Sequence, residues 1–175
     1  MRKITAPLTK AVRTRLKCGE HVLLTGTIYT ARDMVHKRLK ELVDRKKRLP
    51  LELKNAVIYY CGPTPQGPGG YFGSCGPTTS SRMDSFTPAL LQKGLAGMIG
   101  KGSRSKDVRD MIKKRRAVYF LAVGGAGAYL AKKIISASTH AYAELGAEAI
   151  YKLKVKNFPL IVGIDSRGKD IYEKR

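Results

Sequence analysis

Residues 76–84, GPTTSSRMD, place two threonines, two serines and an arginine directly after a Gly-Pro pair that stiffens and turns the backbone. Hydroxyl side chains ahead of a helix accept hydrogen bonds from its unpaired first N–H groups, so one reading is a helix cap. Hydroxyls, unpaired amides and a guanidinium at one helix start also suit a carboxylate or a phosphate, so the other reading is an anion site. The two are compatible. In TARDMVH, Arg32 and His36 stand four residues apart, which puts both on one face of a predicted helix. Histidine, with a free pKa of about 6.5, suits proton transfer near neutrality, but the same pair on a solvated face would have no chemical role. KGSRSK sets Lys101 and Arg104 around a glycine before another predicted helix, a pattern that gathers positive charge and that by itself does not differ from a water-facing charge run.

These residues need elements to hold them. A β-rich run at 21–28, Thr30, and then Met34, Val35, Leu39, Leu42 and Val43 at helical spacing predict strand, tight turn and helix, closed by the basic DRKKR before Pro50. A second buried strand at about 56–61 leads into residues 62–80, too dense in Gly, Pro and Ser for a regular element and long enough to be a functional loop. In RMDSFTPALLQKG, Pro88 either kinks a helix or stands in its first turn with Thr87 as cap. LAGMIGKG predicts a short strand, SRSKDVRDMIKKRR a basic amphipathic helix, AVYFLAV an apolar strand and GGAGAYLAKKI a glycine turn with a helix. The final stretch, 147–165, predicts a strand with one wet face, where Ile150, Leu153 and Val155 alternate with lysines, and a further apolar strand after Pro159. Strands alternating with helices make the fold class α/β.

The 175 residues, 43% of them hydrophobic, suit one globular domain at 1–175 with no metal or disulfide staple. A net charge of +21, from 34 Lys and Arg against 13 Asp and Glu, calls for an anionic partner, whether nucleic acid, acidic protein or carboxylate metabolite. Cysteines 18, 61 and 75 have neither the spacing of a zinc ribbon nor that of a ferredoxin-type cluster, and an odd count argues against a disulfide framework. No metal site on this chain and a reducing, cytoplasmic setting are therefore expected. The first residues lack the apolar core of a signal peptide, and the longest uncharged run, 117–131, is short of the roughly 20 residues a membrane span requires. GGAGAY lacks the third glycine of a dinucleotide fingerprint, Leu130 standing in its place, so tight packing explains it better.

Taken together, LTGTIYTARDMVHKRL, GPTTSSRMDS, KGSRS, GGAGAYLA and KNFPLIVGIDSRGKD resemble, over nearly the whole chain, the β subunit or C-terminal domain of iron-sulfur-dependent class I fumarate hydratases. The L-tartrate dehydratase β subunit is the close relative. The resemblance implies a swivelling β/β/α domain and reversible hydration of fumarate to (S)-malate in a hetero-oligomer with paired β subunits. The partner implied is an α subunit carrying a 4Fe-4S cluster, so no cofactor is expected on this chain, which alone would be inactive. By motif, Arg32, Arg82 and Lys101 would hold the carboxylates of a dicarboxylate substrate. Thr78 matches the residue proposed to move the proton next to the carboxylate, and His36 a position assigned as catalytic in tartrate dehydratase relatives; which of the two transfers the proton stays open. Ser81 departs from the glycine of many fumarase members, while GTIYTARD looks more like the fumarase branch. A basic nucleic-acid module is the rival reading from the charge, but no RNP, KH or zinc-finger signature supports it.

Overall fold

The computed structural model describes residues 1–65 and 71–173. Five strands, β1 (Arg2–Ala6), β2 (His21–Thr30), β3 (Val57–Tyr59), β4 (Gly97–Gly100) and β5 (Val118–Leu121), lie parallel in that order. β7 (Ile150–Ile164) runs antiparallel to both β5 and β2, and β6 (Ile134–Ala141) pairs antiparallel with β7. Because β2 pairs with β7 as well as with β3, strands β2, β3, β4, β5 and β7 close into a five-stranded ring, with β1 and β6 branching from it. The result is one compact mixed α/β domain.

The apolar runs of the central strands follow from burial on both faces. Val57, Tyr59, Ile99, Val118 and Phe120 point into one core with Leu24, Ile28, Leu153 and Val155. The alternate residues Ile58, Met98 and Tyr119 point the other way, under helices α2 (Asp33–Asp44), α3 (Thr87–Gln92) and α4 (Lys106–Arg115). Those helices are amphipathic for that reason: Val35 and Leu39 of α2, Leu90 and Leu91 of α3, and Val108 and Ile112 of α4 are buried against the sheet. Ser105 caps α4 by accepting from the Val108 amide, Lys113, Lys114 and Arg115 face its negative end, and left-handed Arg116 terminates it.

The sequence reading needs three amendments. The tail is one strand, not two, because Pro159 pairs with Leu23 of β2 in a stretch of β7 that neither β5 nor β6 flanks, so its missing N–H breaks no ladder. Asn157, with φ 51, forms a bulge there, its amide donating to the Thr25 hydroxyl. β1 and helix α1 (Lys10–Arg15) are not among the predicted elements, nor is β6, which starts at the Ile134 that closes the predicted GGAGAYLAKKI stretch; helix α5 covers just Gly127–Ala131. Finally, residues 80–83 form a single 3-10 turn, and of the two placements open to Pro88 the structure has the first turn of α3, with Thr87 inside the helix rather than capping it.

Gly26 sits where the β2–β7 register shifts, at φ +126, and a Cβ there would lie 2.3 Å from the Ala6 carbonyl oxygen of β1. Gly26→Ala therefore must push β1 away, and we expect a loss of roughly 1–3 kcal/mol in denaturant unfolding. An unchanged midpoint would show that β1 is not held this closely.

Candidate anion-binding site

The candidate residues gather just past the carboxyl ends of the parallel strands, where α/β sheets commonly bind ligands. Arg32 follows β2 and precedes α2, with the neighbouring Ala31 amide fixed to the Tyr59 carbonyl of β3. Thr78 hangs from the end of β3, its amide donating to the Tyr60 carbonyl at 2.6 Å. Lys101 follows β4 and forms a bridge with Thr79: its amide donates to the Thr78 carbonyl and its own carbonyl accepts from Ser80. Arg82 reaches Asp33 at the first turn of α2, Nε to Oδ1 2.9 Å, and Arg32 approaches the other oxygen of that carboxylate at 3.7 Å. Glu148 lies 3.6 Å from Arg32 Nε. Thus Arg32, Thr78, Arg82 and Lys101 share one rim, with Thr78 half-buried and Arg82 and Lys101 exposed.

The hydroxyls do not act as caps. Thr79 precedes the 3-10 turn without a side-chain capping bond, and Ser80 is buried with its hydroxyl 2.8 Å from Tyr119 Oη. Tyr119 in turn donates to the Gly102 carbonyl, so Ser80 and Tyr119 tie the 76–84 segment to the 101–105 segment. Thr87 does not cap α3 either; its hydroxyl donates to the Met83 carbonyl and accepts from Arg104.

Arg104 does not join the exposed positive charge. Its side chain is fully buried, with Nε donating to Asp84 Oδ1 at 2.7 Å, Nη2 to Thr87, and the guanidinium stacked over Tyr60 and Tyr119. The Ser105 amide donates to the second Asp84 oxygen at 2.6 Å. Asp33, Ser80, Asp84 and Tyr119 were missed by the sequence reading, although both aspartates lie inside the TARD and RMD motifs.

His36 lies below the rim rather than on it. The ring is fully buried against the edge of Tyr60, and its Nδ1 donates to the Arg32 carbonyl at 2.8 Å, which leaves Nε2 as the unprotonated nitrogen, buried with no partner among the described residues. Burial, helped by the positive charge of Arg104, lowers its pKa to about 4 against the stabilising hydrogen bond to Arg32 and the charge of Asp33. Spacing correctly put His36 on the same helix end as Arg32, but it could not show which way the ring points.

Cys61 and Cys75 are buried with their sulfurs 2.7 Å apart, whereas Cys18 lies elsewhere beside Gly163 and Asp165. Two adjacent thiols with the third remote do not fit a 4Fe-4S cluster held by this chain. A cavity of about 490 Å³ lies between β1 and α1, lined by residues such as Ile4 and Leu16 and by none of the candidate residues.

A family model described as Fumarase C-terminus matches residues 2–175. The chain belongs to the fumarase C-terminal family. It is 42% identical over 178 residues to "Fumarate hydratase class I, anaerobic" of Escherichia coli, covering 99% of this chain and 31% of that protein. "Fumarate hydratase 2" of Leishmania major is 41% identical, covering 89% of this chain and 28% of the relative. "Putative L(+)-tartrate dehydratase subunit beta" of Methanocaldococcus jannaschii is 36% identical, covering 95% of this chain and 89% of the relative. The chain thus spans about a third of the length of the fumarate hydratases it matches, and most of the length of a protein named as a subunit. In this chain the TARD, GPTT and KGSRS segments come from three neighbouring strand ends.

Two measurements check this account of the fumarase C-terminal domain. An unfolded histidine binds its proton near pH 6.5 and folded His36 near pH 4, so the unfolded chain holds more protons between them. The contribution of neutral His36 is therefore complete above about pH 6.5 and is lost toward pH 4, by about 3 kcal/mol. NMR of the imidazole nitrogens should find His36 neutral and protonated at Nδ1 through the upper part of that window, charging only as the pH approaches 4; titration at the ordinary value would contradict its burial. Arg104→Met should destabilise the domain by about 3–5 kcal/mol in chemical denaturation, because it strands the Asp84 carboxylate; a loss near zero would mean that Asp84 finds water instead.

Proposed function

We propose that residues 1–175 are the β subunit, or the equivalent C-terminal domain, of a class I fumarate hydratase, a hydro-lyase that reversibly adds water to fumarate to give (S)-malate. The observation that carries the reading is the shared rim of Arg32, Thr78, Arg82 and Lys101, in a chain matched along its length by that family. The ring of strands flanked by helices is compatible with the swivelling β/β/α domain expected from the motifs. No described helix is long and apolar enough to cross a membrane; a cytoplasmic setting, with a dicarboxylate rather than nucleic acid as the anionic ligand, is part of the proposal.

In this reading Arg82 and Arg32 grip a substrate carboxylate, taking over from Asp33, which now holds both guanidinium groups in place. Arg82 uses Nε for Asp33, and its terminal nitrogens make no ion pair among the described residues. Lys101 adds positive charge where negative charge builds on the carboxylate as the C–H bond breaks. Thr78 carries the proton at that carbon. Of the two candidates for this step Thr78 is only half-buried, while His36 is fully buried and serves by fixing the Arg32 carbonyl and thus the start of α2. The 4Fe-4S cluster belongs to the α subunit or domain in this proposal, and supplies the Lewis acid for the hydroxyl. No residue of this chain is assigned to it.

A second substrate, L-tartrate, is favoured by one observation: the relative named as a tartrate dehydratase β subunit is a chain of nearly this length. The test mixes the purified chain with its anaerobically reconstituted α partner and follows fumarate absorbance, with L-tartrate in parallel. We expect fumarate hydration by the mixture and none by the chain alone. Arg82→Met should lower turnover by at least about 10²-fold with the complex still assembled. Unchanged turnover would remove Arg82 from the site, and absence of hydration together with tight, salt-sensitive RNA binding by the chain would refute the enzyme reading.

A further inference from the structure

Cys61 ends the segment that continues β3, and Cys75 begins the segment that carries Thr78. Their sulfurs stand 2.7 Å apart, closer than two unbonded sulfurs ordinarily sit, and each residue is at most 1% exposed. The backbone around them is fixed on every side. The Cys61 amide donates to the Tyr59 carbonyl, the Cys75 amide to the Gly127 carbonyl, and the Tyr59 hydroxyl to the Cys75 carbonyl at 2.5 Å. Beside them lies Arg32, whose Nη1 would be 2.8 Å from a Cβ placed on Gly62. Neither thiol has a place in the proposed chemistry, and burial pushes the Cys61 thiol well above its ordinary range, which protects it while it remains reduced.

We propose that Cys61 and Cys75 are a reversible redox pair that closes to a disulfide with the surrounding fold unchanged, clasping the two ends of the 61–75 segment beside Arg32. The oxidant is a small-molecule disulfide. During a local opening one cysteine thiolate attacks a sulfur of that disulfide, and one small thiolate leaves and takes up a proton. The second cysteine, as thiolate, then attacks the mixed disulfide and expels the other small thiolate, which takes up the second proton. Two cysteine thiols are oxidised and one small disulfide becomes two thiols. A strong reductant returns the pair by the reverse exchange. Closing a loop of this size removes freedom from the unfolded chain, so the bridged form is the more stable one.

The test uses the full-length wild-type chain, incubated folded with oxidised glutathione or with excess dithiothreitol, then acid-quenched, unfolded, alkylated and weighed intact. The expected result is a single alkyl group, at Cys18, in the oxidised sample and three in the reduced one, with a Cys61–Cys75 peptide found by mapping. Three alkyl groups in both samples, a stable glutathione adduct without a bridge, or a bridge to Cys18 would each overturn the proposal. The melting midpoint should rise by about 5 °C or more on oxidation. A fall would overturn the claim that the bridge fits the native fold. Because both readouts are independent of turnover, they stand or fall separately from the assignment as a fumarate hydratase.

Discussion

The buried pair of Asp84 and Arg104 is the constraint on which the rim depends. Arg104 is removed from water and Asp84 nearly so, a cost of several kcal/mol that only complete hydrogen bonding offsets. That condition is met: Asp84 accepts from Arg104 and from the Ser105 amide, while Arg104 also finds Thr87 and two tyrosine faces. The pair joins the end of the GPTTSSRMD segment to the end of KGSRS, and Ser80 with Tyr119 joins their middles. Two loops from different strand ends are thereby fixed as one surface. Their exposed residues, Thr79, Arg82 and Lys101, are placed by the buried ones together with the backbone bridge between Thr79 and Lys101.

Asp33 has a matching role on the other side. Three cations near one another repel, and this chain carries an excess of them. A single carboxylate between Arg82 and Arg32 relieves that repulsion and orients both guanidinium groups. Its second oxygen is buried without a hydrogen-bond donor among the described residues, so it holds Arg32 only loosely. An arrangement of this kind stores binding capacity, since an incoming carboxylate with two good oxygens can compete for donors that are only partly engaged.

Much of this was legible in the residues, and the limits have physical causes. Strands with both faces buried read as apolar runs, so β3, β4 and β5 were found, as was the wet face of β7 with its alternating lysines. β6 was not, because an edge strand of Ser, Ala and Thr exposes most of its residues and shows no apolar period. The motifs pointed to Arg32, Thr78, Arg82 and Lys101, which the structure places at or just after three neighbouring strand ends. Spacing misjudged Arg104 as part of a positive cluster, because the group that neutralises it lies 20 residues back in another loop. The contact between Cys61 and Cys75 was hidden for the same reason: a separation of 14 residues has meaning only once both ends are pinned to β3 and to Gly127.

The openness of the rim has its own physical consequence. Two unit charges 4 Å apart attract by about 1 kcal/mol in bulk water but by about 4 kcal/mol at the effective dielectric of a partly covered protein surface. Arg82 and Lys101 are exposed, so on this chain alone they face the first of those conditions. Their attraction for a small diacid would be offset by its own hydration. A second protein surface laid over the rim, as the proposed α subunit would be, excludes water and moves the same cations into the second condition without shifting an atom of this domain. In that proposal, dividing the site between two surfaces leaves the cations hydrated until the surface that makes their charge effective is in place.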